Sequence, residues 1–156
     1  MAALSGQETI KFVAERQKKS LLAFSCGKDA VATWLAIRDH FEEVIPYYLY
    51  LVPHLEFIDE SIDYYERFFG TKIIQLPHPS VPRMLNNLVF QPPQNCKVIE
   101  DANFPDFDYV DVQRVLVDRF DLPKKTLVAD GVRAADSPMR RIAINKHGSI
   151  SFNQFK

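Results

Sequence analysis

Between Lys18 and Leu76, short apolar runs alternate with helically spaced segments, and no two runs are joined by a tight hairpin turn. Parallel strands need a crossover of a dozen or more residues, usually a helix. Such an alternation therefore selects a parallel sheet with helices on both faces. The runs fall at residues 21–24, 44–52 and 71–76, and a fourth follows at 126–129. Residues 141–145 with 149–152 read as a fifth strand or a hairpin. Helices are expected over 7–19, with Lys18 and Lys19 in the last turn, over 30–41 through Val31, Trp34, Leu35 and Phe41, and over 110–120 with Val112, Val115, Leu116 and Phe120 inward. The clearest is 56–69, where Ile58, Ile62, Tyr65 and Phe69 recur at steps of four, three and four, and Gly70 stands at the C-cap. The expected architecture is a three-layer, doubly wound α/β fold on a mostly parallel five-stranded sheet.

Composition narrows the class further. The 156 residues suit one domain, 1–156, and the 47% hydrophobic and 25% charged content is that of a globular protein. Nineteen basic against twenty acidic residues leave a net charge of -1, so nucleic acid is not indicated as a partner. Cys26 and Cys96 read as free thiols of a reducing compartment. The first residues lack a basic region followed by an apolar core, and no apolar run approaches the ~20 residues of a membrane span. The expectation is a cytoplasmic protein with no membrane partner. Pro77, Pro79, Pro82, Pro92 and Pro93 break up the segment after the third strand, and residues 86–121, apart from the helix expected over 110–120, are left unassigned.

Residues 25–29, Ser-Cys-Gly-Lys-Asp, lie where the first strand turns into a helix. In an open parallel sheet ligands bind beyond the carboxyl ends of the strands, and a helix N-terminus presents unpaired N–H groups to an anion. Ser25 offers a hydroxyl, Gly27 close backbone approach and Lys28 a full charge; Asp29 offers either a helix cap or a ligand for Mg²⁺ bridging phosphates. Spacing alone also allows an ordinary helix cap with an incidental lysine. Neither of the two common nucleotide fingerprints, Gly-x-x-x-x-Gly-Lys-Ser/Thr and Gly-x-Gly-x-x-Gly, is present.

Ser25-Cys26-Gly27-Lys28-Asp29-Ala30 resembles the Ser-Gly-Gly-x-Asp-Ser pyrophosphate loop of the adenine nucleotide alpha hydrolase-like (PP-loop ATP pyrophosphatase) superfamily. The closest likeness is to the phosphoadenosine phosphosulfate reductase-like branch, in its compact phage-type form. Cys26 stands where that pattern has Gly, and Ala30 where it has Ser. A second segment, Gly131-x-Arg133-x-x-Asp136-Ser137-x-x-Arg140, resembles the family's Gly-x-Arg-x-x-Glu-Ser-x-x-Arg and follows the expected fourth strand. Guanidinium forks suit phosphate or sulfate oxygens. His54 and His78 stand near strand ends, as substrate-rim groups or as loop histidines with structural bonds.

The resemblance, over residues 18–76 and 124–152, implies an adenine nucleotide as ligand, either ATP or an adenylyl sulfate, with Mg²⁺ as a companion ion. It implies adenylation or sulfur transfer, with a sulfur-transfer protein as partner and a homo-oligomer as an open alternative. The C-terminal reductase segment, Glu-Cys-Gly-x-His, is not found in these 156 residues, and two isolated cysteines cannot hold an iron–sulfur cluster. Two readings therefore stand: an enzyme using Lys28 and Asp29, or a non-catalytic nucleotide-binding module of a larger assembly. Cys26 is either a nucleophile, with a pKa lowered by the helix N-terminus and Lys28, or a small residue tolerated in the loop.

Overall fold

Ser20, Leu21 and Leu22 are shielded from solvent on both sides of their strand, the pattern of a sheet covered on two faces. The computed structural model describes residues 4–150. Its order is α1 (Gly6–Ala14), β1 (Lys19–Ala23), α2 (Lys28–Ile37), β2 (Glu43–Tyr50), α3 (Glu56–Phe69), β3 (Ile74–Pro77), α4 (Ser80–Asn86), α5 (Pro93–Ala102), α6 (Tyr109–Arg119), β4 (Val128–Ala129) and α7 (Pro138–His147). The strands form one parallel sheet in the order β3-β2-β1-β4, with Leu21 opposite both Ile45 and Val128.

Alternation along β1 and β2 divides the core into two layers. Leu22, Phe24 and Val44 point to one face and pack with Ala30, Trp34 and Ile37 of α2 and Ile62 of α3. There Trp34 stacks on Phe69 at 3.8 Å, and Phe24 meets Trp34 and Tyr65 edge-on at 5.1 and 5.2 Å. Leu21, Ile45 and Tyr47 point to the other face and pack with Val112, Leu116 and Val117 of α6. The helix expected over 110–120 thus covers the second face.

Pro46 lies inside β2, where a missing N–H would normally break a ladder. The Tyr47 carbonyl accepts from Phe24 N–H of the β1 side at 2.8 Å, and the Tyr50 carbonyl accepts from His78 N–H after β3. Alternate residues therefore face alternate neighbours, and Pro46 faces the β3 side. β3 begins only opposite Tyr47, so the absent donor costs no ladder bond.

The expected helix 56–69 has the bounds of α3, and Gly70 takes a left-handed C-cap at φ 65°. Other boundaries move. The first helix ends at Ala14, so Lys18 and Lys19 belong to the entry into β1, where they pair with Glu42 and Glu43. Leu35 of α2 and Val115 of α6, both expected inward, are exposed, because an apolar stripe can be continued to either side by one residue. Residues 141–145 are not a strand. Ser137 caps a helix by accepting the Arg140 N–H at 3.1 Å, Pro138 occupies its first turn, and Lys146 and His147 sit at its C-terminal end before Gly148. Ser149 and Ile150 are outside any strand, and residues 151–152 lie outside the described residues. Four strands, not five, are present among the described residues.

Candidate functional site

The strand order runs outward from β1 in both directions, so the chain ends of β1 and β4 emerge side by side at a topological switch point. That crevice is where open α/β sheets hold ligands. The loop after β1 and the first turn of α2 carry residues 25–29, and the loop after β4 carries Asp130, Gly131, Arg133 and Asp136, with Arg140 in the first turn of α7. Ser25, Asp29 and Ala30 on one side, and Asp130, Gly131, Asp136 and Arg140 on the other, line a cleft of about 270 Å³.

The two loops fit each other at the backbone. A Cβ at Gly131 would lie 2.9 Å from both the carbonyl carbon and oxygen of Asp29 and 3.1 Å from the Ala30 nitrogen. Glycine is required there by close approach. Arg133 crosses the same gap, its Nη2 3.3 Å from Asp29 Oδ2. Asp136 organises the arginines: it accepts the Arg133 N–H at 2.9 Å, the Arg133 Nε–H at 3.2 Å and the Arg140 Nη1–H at 3.0 Å. The backbone N–H of Arg133 beside it, followed by the guanidinium charges, holds its carboxyl below the usual carboxylate range.

The α2 N-terminus has no side-chain cap. Gly27 is the N-cap residue, and Asp29, an expected cap candidate, instead accepts both contacts of the Lys28 ammonium at 3.1 Å and faces Arg133. The N–H groups of the first turn are thus left to solvent or to an anion. Ala30, expected in the phosphate loop, is buried in the core, so only its backbone is presented to the cleft. Cys26 adopts φ 58°, the left-handed conformation that suits glycine, at the position where the resembling motif has Gly. The nucleophile reading of Cys26 requires a thiol that ionises readily. Burial instead pushes its pKa up, because the apolar core packed against it solvates a thiolate poorly.

His54 and His78 follow β2 and β3, and neither lines the cleft. His54 is exposed, with Nδ1 4.0 Å from Asp59. His78 accepts the Ser80 N–H at Nδ1 and meets the Tyr109 hydroxyl at 2.9 Å through Nε2, so the ring is held between two partners. The residue that sequence reasoning missed is Asp130. It stands at the carboxyl end of β4, lines the cleft, and its Oδ1 accepts the Val132 N–H at 3.0 Å. An acidic residue directly before the motif glycine was the available signal.

Among the described residues no group of three or more His, Cys, Asp or Glu side chains is arranged to hold a metal ion by itself. Asp29 and Asp130 fit the other mode, in which Mg²⁺ takes one or two carboxylates and completes its shell with water and substrate phosphates. No helix among the described residues is long and apolar enough to cross a membrane. No protein-family model matches the chain, and no curated protein matches it.

Proposed function

We propose that this chain binds an adenine nucleotide, ATP or an adenylyl sulfate, in the cleft between the β1 and β4 loops, as a PP-loop protein of the phosphoadenosine phosphosulfate reductase-like kind. The proposal includes that superfamily's five-stranded architecture, four strands of which are described above. One observation carries it: an uncapped helix N-terminus opens onto the switch-point cleft, opposite Arg140 in the first turn of α7 and beside Arg133 of the β4 loop. The α2 N–H groups and Lys28 take the phosphates, and Arg133 and Arg140 take the distal phosphate or sulfate. Arg140 spends one N–H on Asp136 and keeps the rest of its fork for a ligand.

The reaction that fits is attack of an acceptor oxygen on the α-phosphorus with departure of pyrophosphate. Negative charge grows on the bridging and leaving oxygens, and fixed N–H donors with Lys28 stabilise it without reorganisation. Mg²⁺ held by Asp29 or Asp130 would supply further charge neutralisation. The test is calorimetric titration with ATP, adenylyl sulfate and phosphoadenylyl sulfate in Mg²⁺, together with an assay for released pyrophosphate. Binding and turnover that vanish in Lys28→Ala support the enzyme. No binding of any adenine nucleotide sinks the reading.

A second reading, a nucleotide-binding module without chemistry of its own in a sulfur-transfer assembly, is favoured by one feature. Cys26 packs against the core and does not line the cleft, and burial raises its thiol pKa, which disfavours it as a nucleophile. Tight binding with no products selects this alternative.

A further inference from the structure

α3 carries a second stripe, one residue behind the buried one. Phe57, Ser61, Tyr64 and Phe68 repeat the four-three-four spacing of Ile58, Ile62, Tyr65 and Phe69, but on a side of the helix that no element among the described residues covers. Phe57, Tyr64 and Phe68 are 63%, 55% and 56% exposed, and Tyr64 stacks on Phe68 at 6.2 Å. Leu51, Val52 and Leu55, just before the helix, are exposed as well. Three large aromatics in one row on an amphipathic helix form an interaction surface rather than the scattered apolar exposure of an ordinary surface.

The pattern itself identifies the occupant. A spacing of four, three and four reads the same in both directions, so two copies of the stripe laid antiparallel about a two-fold axis match residue for residue. Phe57 of one copy then faces Phe68 of the other, and the small Ser61 faces the large Tyr64. Charge agrees with the same register. Glu56 and Glu60 lie on the polar flank in the first half of the helix, and Arg67 lies on that flank in the second. Antiparallel pairing sets each Arg67 at a height between Glu56 and Glu60 of the other copy, on the same side of the interface. None of these three side chains has an ion-pair partner in its own chain among the described residues. Asp63, near the axis, is turned further from the stripe than either glutamate.

We propose that the exposed α3 stripe is a two-fold interface with a second copy of this chain. An isologous contact needs a self-complementary surface, and this one is self-complementary in shape and in charge. Fully enclosed aromatic side chains bury ~150–250 Å² each, so six half-exposed rings supply roughly 500–700 Å². That lies below the ~1,200 Å² of stable complexes, so the association is a weak one.

Sedimentation velocity on the full chain, at concentrations spanning the micromolar range, tests this. The expected result is a mass rising from one copy to two. Phe68→Glu and Tyr64→Glu abolish the rise while leaving the circular dichroism spectrum unchanged, since both side chains are already exposed. Arg67→Glu weakens the dimer about tenfold, and adding Glu60→Arg to it restores the affinity by reversing the pair. A one-copy mass at every concentration overturns the proposal. So does a dimer indifferent to Phe68→Glu, or a charge exchange that restores nothing.

Discussion

Gly131 sits against the backbone of Asp29 so closely that a single added carbon would fall 2.9 Å from its carbonyl. Two segments a hundred residues apart in the chain are thus matched at the level of main-chain atoms, and the cleft between them depends on that match. Gly131→Ala should force the loops apart. An overpacked site of this sort costs about 1–3 kcal/mol, and nucleotide affinity should fall with it. Urea denaturation read beside nucleotide titration checks both; unchanged stability would show that the loop gives way freely.

Asp136 is the joint between the two arginines. Asp136→Ala should leave both guanidinium groups unoriented and lower nucleotide affinity about tenfold, the size of one charged hydrogen bond. Its lowered pKa fixes the sign of the acid response. The carboxylate contributes stability above the ordinary carboxylate range, and that contribution is lost as pH falls through the lowered value. Acid titration of the unfolding midpoint should accordingly be shallower in the variant than in the parent.

Tyr47 governs the alkaline limb. Burial first, then the charges of Asp130 and Tyr109, push its hydroxyl from 10.0 up to about 12. The neutral phenol is favoured in the folded chain, so its share of stability is complete below pH 10 and lost as pH rises toward 12. A two-unit shift corresponds to about 3 kcal/mol. Tyr47→Phe should remove that limb, which unfolding midpoints measured between pH 9 and 12 would reveal.

Cys26 tests backbone against side chain. Its left-handed φ costs about 1–2 kcal/mol in a non-glycine residue, while glycine there raises the entropy of the unfolded chain by about 0.4–1 kcal/mol. Cys26→Gly should therefore leave stability unchanged or raise it by up to about 1.6 kcal/mol, whereas Cys26→Val, with a branched Cβ in the same conformation, should destabilise. Alkylation by iodoacetamide should be slow at neutral pH, because burial raises the thiol pKa. Rapid alkylation there would contradict the burial.

Much of the architecture was legible because β1, β2 and α3 each repeat one signal several times over. The Leu21–Leu22 run is apolar on both faces, and the α3 stripe recurs four times. The region 141–145 was read as extended because Ile142, Ala143 and Ile144 form an apolar run too short to show a period. Its true signals were terminal, Ser137-Pro138 before and Gly148 after. In the candidate site the order of the two motifs could be read directly. The closeness of Gly131 to Asp29 could not, since it arises only when β4 pairs beside β1. Nor could the Cys26 environment, because the core that raises its pKa is assembled from α2, α3 and two strands.

β4 pairs through only two residues, Val128 and Ala129, opposite Leu21 and Leu22. Beyond that ladder, the side chain of Gln17 clasps Leu127 through both its N–H and its carbonyl, at 2.8 and 3.3 Å, and Gln113 donates to the Thr126 carbonyl at 2.8 Å. So short a seam means that the arginine half of the cleft can peel from β1 while the rest of the sheet stays closed. An occupant bridging Ser25 and Arg140 would act as a stitch, and the amide protons of residues 127–133 would record its arrival by slower exchange with solvent.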